Sequence, residues 1–231
     1  MAIKGIKTKA AEGDNNIFWT TMSDLMLGLA IIFITLFVFA MTGFSQQKVE
    51  LTKQQMQVSA ELIENLEKEN INTEVDKLTG DIKISDLDLF EVGSYRLSPK
   101  GKAFLDKFTP IYINTIFSKK DYANNIESII IQGHTDSQTY AGIKSPEEQY
   151  LKNMTLSLER ANSVANYMFK TGYNKNYNAA LKKKMVVEGK SFSEPIMVNG
   201  KEDFAKSRRV EIRLKSKTFD LAETLFSKGS N

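Results

Sequence analysis

The 231-residue chain has no cysteine and a single histidine, His134. The first absence excludes disulfides and thiol chemistry, and the two together leave too few side chains for the usual zinc constellations, so neither a metal nor a cofactor is expected. A lack of cysteine also suits an oxidising compartment without requiring one. Net charge is small as well, 31 basic against 28 acidic residues. No long basic run is interleaved with aromatics as a nucleic-acid groove needs, so direct nucleic-acid binding is not expected. Hydrophobic content of 42% and charged content of 26% are ordinary for a globular protein.

What stands out is one apolar stretch. Residues 17–43 read IFWTTMSDLMLGLAIIFITLFVFAMTG, in which Asp24 is the sole ionisable side chain. Rising 1.5 Å per residue as a helix, the stretch comfortably crosses a hydrocarbon layer of about 30 Å. Lys4, Lys7 and Lys9 ahead of it also fit a cleaved signal peptide. The apolar run is too long for a usual signal peptide, however, and Ala40-Met41-Thr42 makes a poor cleavage site. The expectation is a retained transmembrane helix over 17–43, after a cytoplasmic tail over 1–16. The lysines before it against Lys48 and Lys53 after it give a narrow positive-inside margin. That margin places the N-terminus in the cytoplasm and everything after the helix outside.

Asp24 needs a reason to be there. An aspartate in such a helix costs about 2.5–3.5 kcal/mol on insertion scales and normally faces protein or a watery path. At 100° per residue Thr20, Gly28, Thr35 and Thr42 fall close to its direction, a small and polar stripe interrupted by Ile31. One face is therefore suited to helix contact. The bland alternative puts Asp24 at the interface beside Trp19, doing nothing. A carboxylate held out of water alternates between charged and neutral forms as a proton or sodium ion arrives and leaves, and each form packs differently against a neighbour. One helix cannot enclose a pore, so partner helices would have to supply the rest.

Residues 44–72 turn polar and carry no Pro, and beyond Gly43 no Gly, so they read as a helical linker. Leu51, Val58, Leu62 and Leu66 approximate one apolar stripe. A short paired helix and a solvated single helix both fit it. Residues 73–216 then alternate strand and helix patterns, and 217–231 form a tail. Asp81-Ile82-Lys83-Ile84-Ser85 alternates as a half-buried strand. Ser98 is placed to cap a helix that opens on Pro99. Ile129-Ile130-Ile131 reads as a buried strand, residues 146–169 as a helix, Met185-Val186-Val187-Glu188 as a strand and residues 209–214 as an alternating last strand. This order predicts an α/β (α+β sandwich) domain with helices covering one sheet.

These motifs carry two resemblances. Phe18-Trp19 followed by Ser23-Asp24-Leu25-Met26 resembles the opening of the transmembrane helix in MotB, the flagellar stator subunit, and still more that of ZorB from the Zorya anti-phage system. The resemblance implies an ion carried by Asp24, and a homodimer seated inside a ring of MotA-like or ZorA-like multi-helix subunits. The rest resembles the OmpA-like peptidoglycan-binding domain. Its landmarks are Leu89-Phe90, Gly93-Ser94, Leu97-Ser98, Gly101, Gly133-His134-Thr135-Asp136, Asn153, Leu156-Ser157, Arg160-Ala161, Gly189, Pro195 and Ser207-Arg208-Arg209-Val210-Glu211. The whole is similar to a MotB/ZorB-like stator, on the ZorB side in its short linker and in the segment 205–211. The implied site residues are Thr135, Asp136, Asn153, Arg160 and Arg208. A diamino-acid stem needs a carboxylate for its ammonium and a guanidinium fork for its carboxylate, and Asp136 and Arg160 have those roles in the family.

Two departures qualify this. The loop at residues 137–150 is enlarged, and Ser207 stands where the common pattern has Asn. Without the resemblance, Asp136 and Arg160 would read as a turn cap and its salt-bridge partner. A wall hydrolase acting through His134 and Asp136 lacks a nucleophile, a metal set or a second acid, so no enzyme is expected. Flagellar stator and passive membrane-to-wall tether remain the other readings.

Overall fold

The computed structural model describes residues 10–217 except 72, 92 and 144. The basic N-terminal residues Lys4, Lys7 and Lys9 and most of the C-terminal tail lie outside the described residues. Two compact units divide the chain, Met1–Glu50 and Leu51–Asn231. The first contains the apolar part of α1 (Ala10–Lys68), in which Ile17–Gly43 is long and apolar enough to cross a membrane and is wholly exposed. Helix already runs from Ala10, inside the segment expected to be a tail.

The second unit opens with the end of α1. Most of the stripe read as a paired or solvated helix is covered by the domain itself, and Leu51 is half-buried. Val58, Leu62 and Leu66 are buried in this unit's own core, and Leu62 is 1% exposed. Gln55 Nε2 donates to Thr79 O at 2.8 Å and Asn65 Nδ2 to Thr115 Oγ1 at 3.2 Å. Three members of the linker's apolar stripe pack against the domain it introduces, and the compact unit reaches back to Leu51.

Next come β1 (Glu74–Val75), β2 (Ile82–Ser85), α2 (Asp86–Leu89), α3 (Pro99–Ser118), α4 (Lys120–Asn125) and β3 (Ile126–His134). α5 (Pro146–Met168), a 3₁₀ turn at Lys175–Tyr177, α6 (Asn178–Lys184), β4 (Met185–Gly189), β5 (Met197–Val198), β6 (Lys201–Glu202), α7 (Phe204–Ser207) and β7 (Arg209–Ser216) complete it. Ser98 Oγ accepts from Gly101 N at 2.9 Å with Pro99 behind it, the expected cap. Ser145 caps α5 from Glu148 N at 3.3 Å with Pro146 first, so the enlarged loop gives way to helix before Tyr150.

The five-stranded sheet has the order β1-β2-β7-β3-β4, with the last strand placed in its middle. β7 is antiparallel to both neighbours, whereas β3 and β4 are parallel. Ile82, Ile84, Ile129, Ile131, Val210 and Ile212 point to one face, where Phe108, Tyr112, Ile113 and Val164 from α3 and α5 cover them. Gly133 sets how closely α5 approaches: a Cβ built there would lie 1.9 Å from Ser157 O. That close approach brings the polar face of α5 to the end of β3, where the candidate site begins.

Candidate functional site

Each strand end contributes a side chain by position alone. Thr135 and Asp136 directly follow β3, Arg208 precedes β7 and Asp86 follows β2. The backbone joins two of these ends, Asp86 N donating to Arg208 O at 3.1 Å. Asn153 and Arg160 lie two helical turns apart on the face of α5 that meets the sheet, and are 2% and 3% exposed.

The charges pair in a pattern that the sequence did not disclose. Arg160 faces Asp86, with Nη2 3.1 Å from Oδ1, rather than Asp136. Its Nε donates to Ser94 O at 3.1 Å and its guanidinium lies 5.3 Å from the centre of the Phe90 ring. Asp136 instead pairs with Arg208 through Oδ2 and Nη1, while its Oδ1 accepts from Gln138 N at 3.2 Å. The site is thus a quartet of two acids and two guanidinium groups, and Asp86 is the member that sequence reasoning missed. Burial pushes the Asp86 carboxyl up and the Arg160 guanidinium down, and in each case the opposite charge of the partner pulls back.

Tyr140 is the second residue missed. Its hydroxyl donates to Asn153 Oδ1 at 3.3 Å and its N–H to Gln149 Oε1 at 3.2 Å. Gln149 Nε2 returns a bond to Gln138 O at 2.6 Å, and Asn153 Nδ2 donates to Gln149 O at 3.1 Å. The enlarged loop is therefore stitched to α5 and places a phenol against the cleft. Burial raises the Tyr140 phenol. Thr135 donates its N–H to Ser191 O at 2.9 Å, but its buried hydroxyl has no protein partner. The arrangement suits a zwitterionic guest: acids for an ammonium, guanidinium groups for a carboxylate, amide and hydroxyl groups between them.

His134 does not belong to this surface. It is 1% exposed, neither ring nitrogen is hydrogen-bonded, and Glu211 is 4.0 Å away. Burial, with Arg209 adding to it, holds the imidazole down at about 4. A ring so enclosed cannot reach an external substrate. Ser207, in place of Asn, is buried and its Oγ accepts from Ile196 N at 3.0 Å, a structural bond that holds the approach to Arg208.

Asp24 is in the other unit, exposed on α1. On its stripe the Thr35 hydroxyl bonds to Ile31 O and Ile32 O, both at 2.9 Å, and the Thr42 hydroxyl to Phe39 O at 2.9 Å. These hydroxyls are satisfied within the helix, and Gly28 leaves open space beside them.

Comparison with known proteins agrees with both halves. The model of the OmpA family matches residues 89–210. Zorya protein ZorB from the Crooks strain of Escherichia coli is 31% identical over 88% of this chain and 89% of its own. A second Zorya protein ZorB, from an enterotoxigenic Escherichia coli, is 26% identical over 91% and 85%. Among solved structures, a MotB-like protein from Desulfovibrio vulgaris superimposes with a TM-score of 0.53 at 19% identity, over 76% of this chain and 99% of its own. The chain belongs to the OmpA family and, within it, is a homologue of ZorB.

Proposed function

We propose that this chain is the wall-anchored subunit of an ion-driven motor in the bacterial inner membrane, of the Zorya anti-phage type. In this reading Ile17–Gly43 crosses the membrane once, with the N-terminus cytoplasmic and the OmpA domain periplasmic. Asp24 carries a proton or a sodium ion, and two copies of the helix sit within a ring of ZorA-like subunits. Asp136, Arg160, Arg208, Asn153 and Thr135 grip a peptidoglycan stem, holding the domain still while the ring turns. One elementary charge crossing 100 mV releases about 2.3 kcal/mol, enough to bias a two-state rearrangement more than tenfold.

The observation that carries the reading is the span of the likeness to ZorB. It extends over 88% of the chain, too much for the wall-binding domain alone to account for. Nothing in the reading calls for catalysis, and the enclosure of His134 leaves a wall hydrolase without its base.

The test is Asp24→Asn in cells challenged with phage. Protection should disappear while membrane insertion and binding to purified peptidoglycan persist. Full protection would reduce the chain to a passive tether between membrane and wall.

A further inference from the structure

Ser191 holds a backbone conformation that serines avoid. Its φ is 51°, and the other non-glycines at positive φ among the described residues, Asn70 and Asn199, are asparagines, which tolerate the left-handed region better. Such a conformation persists only where its surroundings over-determine it. Ser191 is wholly buried, its N–H donates to Ser157 Oγ at 3.0 Å, its hydroxyl to Tyr150 O at 3.0 Å, and its carbonyl accepts from Thr135 N at 2.9 Å. Every polar group of the residue is engaged, and its partners lie on α5 or directly after β3.

The conformation decides where Phe192 goes. Its ring meets the Tyr150 ring edge to face, with centres 5.6 Å apart and planes at 88°. Buried aromatic pairs of this geometry are ordinary core packing. This pair is not buried: Tyr150 is 37% exposed, Phe192 is half-buried, and both lie outside the hydrophobic core. A strained, fully bonded residue thus holds two rings at the surface, where they add nothing to the core.

The rings border the charged cleft. The bonds from Lys190 N to Gly133 O and from Thr135 N to Ser191 O, both 2.9 Å, continue the pairing of β3 with β4. Two chain steps and one strand spacing therefore lead from Asp136 to Phe192, which keeps their Cα atoms within roughly 13 Å. Tyr150 stands about 60° round α5 from Asn153, beside the face that also carries Arg160. In the wall-binding reading the guest of the cleft is a diamino acid in a peptide stem, and the stem hangs from a sugar. Three extended residues reach roughly 10 Å, so a stem held at Asp136 brings its sugar to the rings.

We propose that Tyr150 and Phe192 form a subsite for a sugar ring of the wall's glycan strand, next to the cleft that takes the stem. One face of such a sugar is lined with C–H bonds, whose partial positive charge suits the negative face of an aromatic ring. Two rings are far short of the area of about 800 Å² that each partner buries in a stable protein interface. The proposal rests on the wall-binding reading above.

Calorimetry on the full-length chain in detergent compares two ligands. One is the free stem tripeptide ending in diaminopimelate, and the other is the same tripeptide on its disaccharide of N-acetylglucosamine and N-acetylmuramic acid. The disaccharide form should bind on the order of tenfold tighter, the size of gain that one aromatic contact supplies. Tyr150→Ala and Phe192→Leu should each erase that advantage and leave the tripeptide affinity unchanged, whereas Tyr150→Phe, which keeps the ring, should keep the advantage. Equal affinity for the two ligands in the unaltered chain overturns the proposal alone and leaves the wall-binding reading standing. An equal loss for both ligands in Tyr150→Ala and Phe192→Leu also overturns it, because the rings would then only shape the cleft through Ser191. Failure of both ligands to bind the unaltered chain sinks the wall-binding reading, and the proposal with it.

Discussion

Arg160 is the partner of Asp86: Nη2 and Oδ1 are 3.1 Å apart, and the two residues are 3% and 7% exposed. Replacing Arg160 alone therefore has two consequences. A guanidinium is lost from the cleft, and a buried carboxylate is left without its counter-charge, a situation that costs about 3–5 kcal/mol. Loss of wall binding in Arg160→Ala would not by itself show that Arg160 touches the wall. The double variant Asp86→Ala, Arg160→Ala separates the effects. Denaturant unfolding should recover most of the stability lost in Arg160→Ala, while pull-down on purified peptidoglycan stays as weak as in the single variant. Recovery of binding along with stability would make Arg160 a scaffold residue.

The burial of Leu62 ties the end of α1 to the core of the domain. Leu62→Ala should destabilise a soluble fragment beginning at Leu51 by about 2–5 kcal/mol, the range for a buried leucine, measured as a lower denaturant midpoint at unchanged slope. A fragment beginning at residue 73 should be less stable still, because it lacks Val58, Leu62 and Leu66 together. If residue 73 is as good a starting point as Leu51, the packing of α1 on the core contributes nothing.

Much of this architecture was legible because it is local. Ser98-Pro99 and Ser145-Pro146 announce helix starts through the backbone donors they cap, and alternation at residues 81–85 and 209–214 announces strands that bury one face. The middle position of β7 was not legible, since pairing order depends on contacts between distant segments. Asp86 was hidden for the same reason: a lone acid after a strand has no spacing relation to Arg160. The stripe of α1 was visible as a stripe, but periodicity does not say what will cover it. The hairpin of β5 and β6 turns on Asn199 and Gly200, both at positive φ, a signal that was available in the Asn-Gly pair.

Gly133 has a backbone reason to be glycine. Its hypothetical Cβ would meet Ser157 O at 1.9 Å, and the neighbour is main chain of α5, which cannot swing aside as a side chain can. Gly133→Ala should push α5 off the sheet at the point where Asn153 and Arg160 are presented. The expected result is a loss of several kcal/mol, within the range of severe overpacking, together with loss of peptidoglycan binding. Gly142→Ala is the control, since it has open space but a positive φ of 87°, and should cost only the backbone strain of that turn. Near-equal effects of the two would mean that the contact of Gly133 with Ser157 O does not set the position of α5.

His134 should govern the acid limb of stability. Its imidazole is held near 4 in the fold against 6.5 for the ordinary group, so between those values the unfolded chain binds more protons than the folded one. Stability from this residue is then complete above about pH 6.5 and falls as the pH drops toward 4, below which both states are protonated. The window is worth about 3 kcal/mol at 1.36 kcal/mol per unit. Asp86 works in the opposite sense: burial raises it, so its protonation on acidification relieves the fold and partly masks the histidine. Unfolding of a fragment beginning at Leu51, measured from pH 7 to pH 4, should show a stability loss that His134→Gln flattens and Asp86→Asn steepens. An acid limb unchanged by His134→Gln would mean that the enclosed ring takes up its proton in the folded state as readily as in the unfolded one.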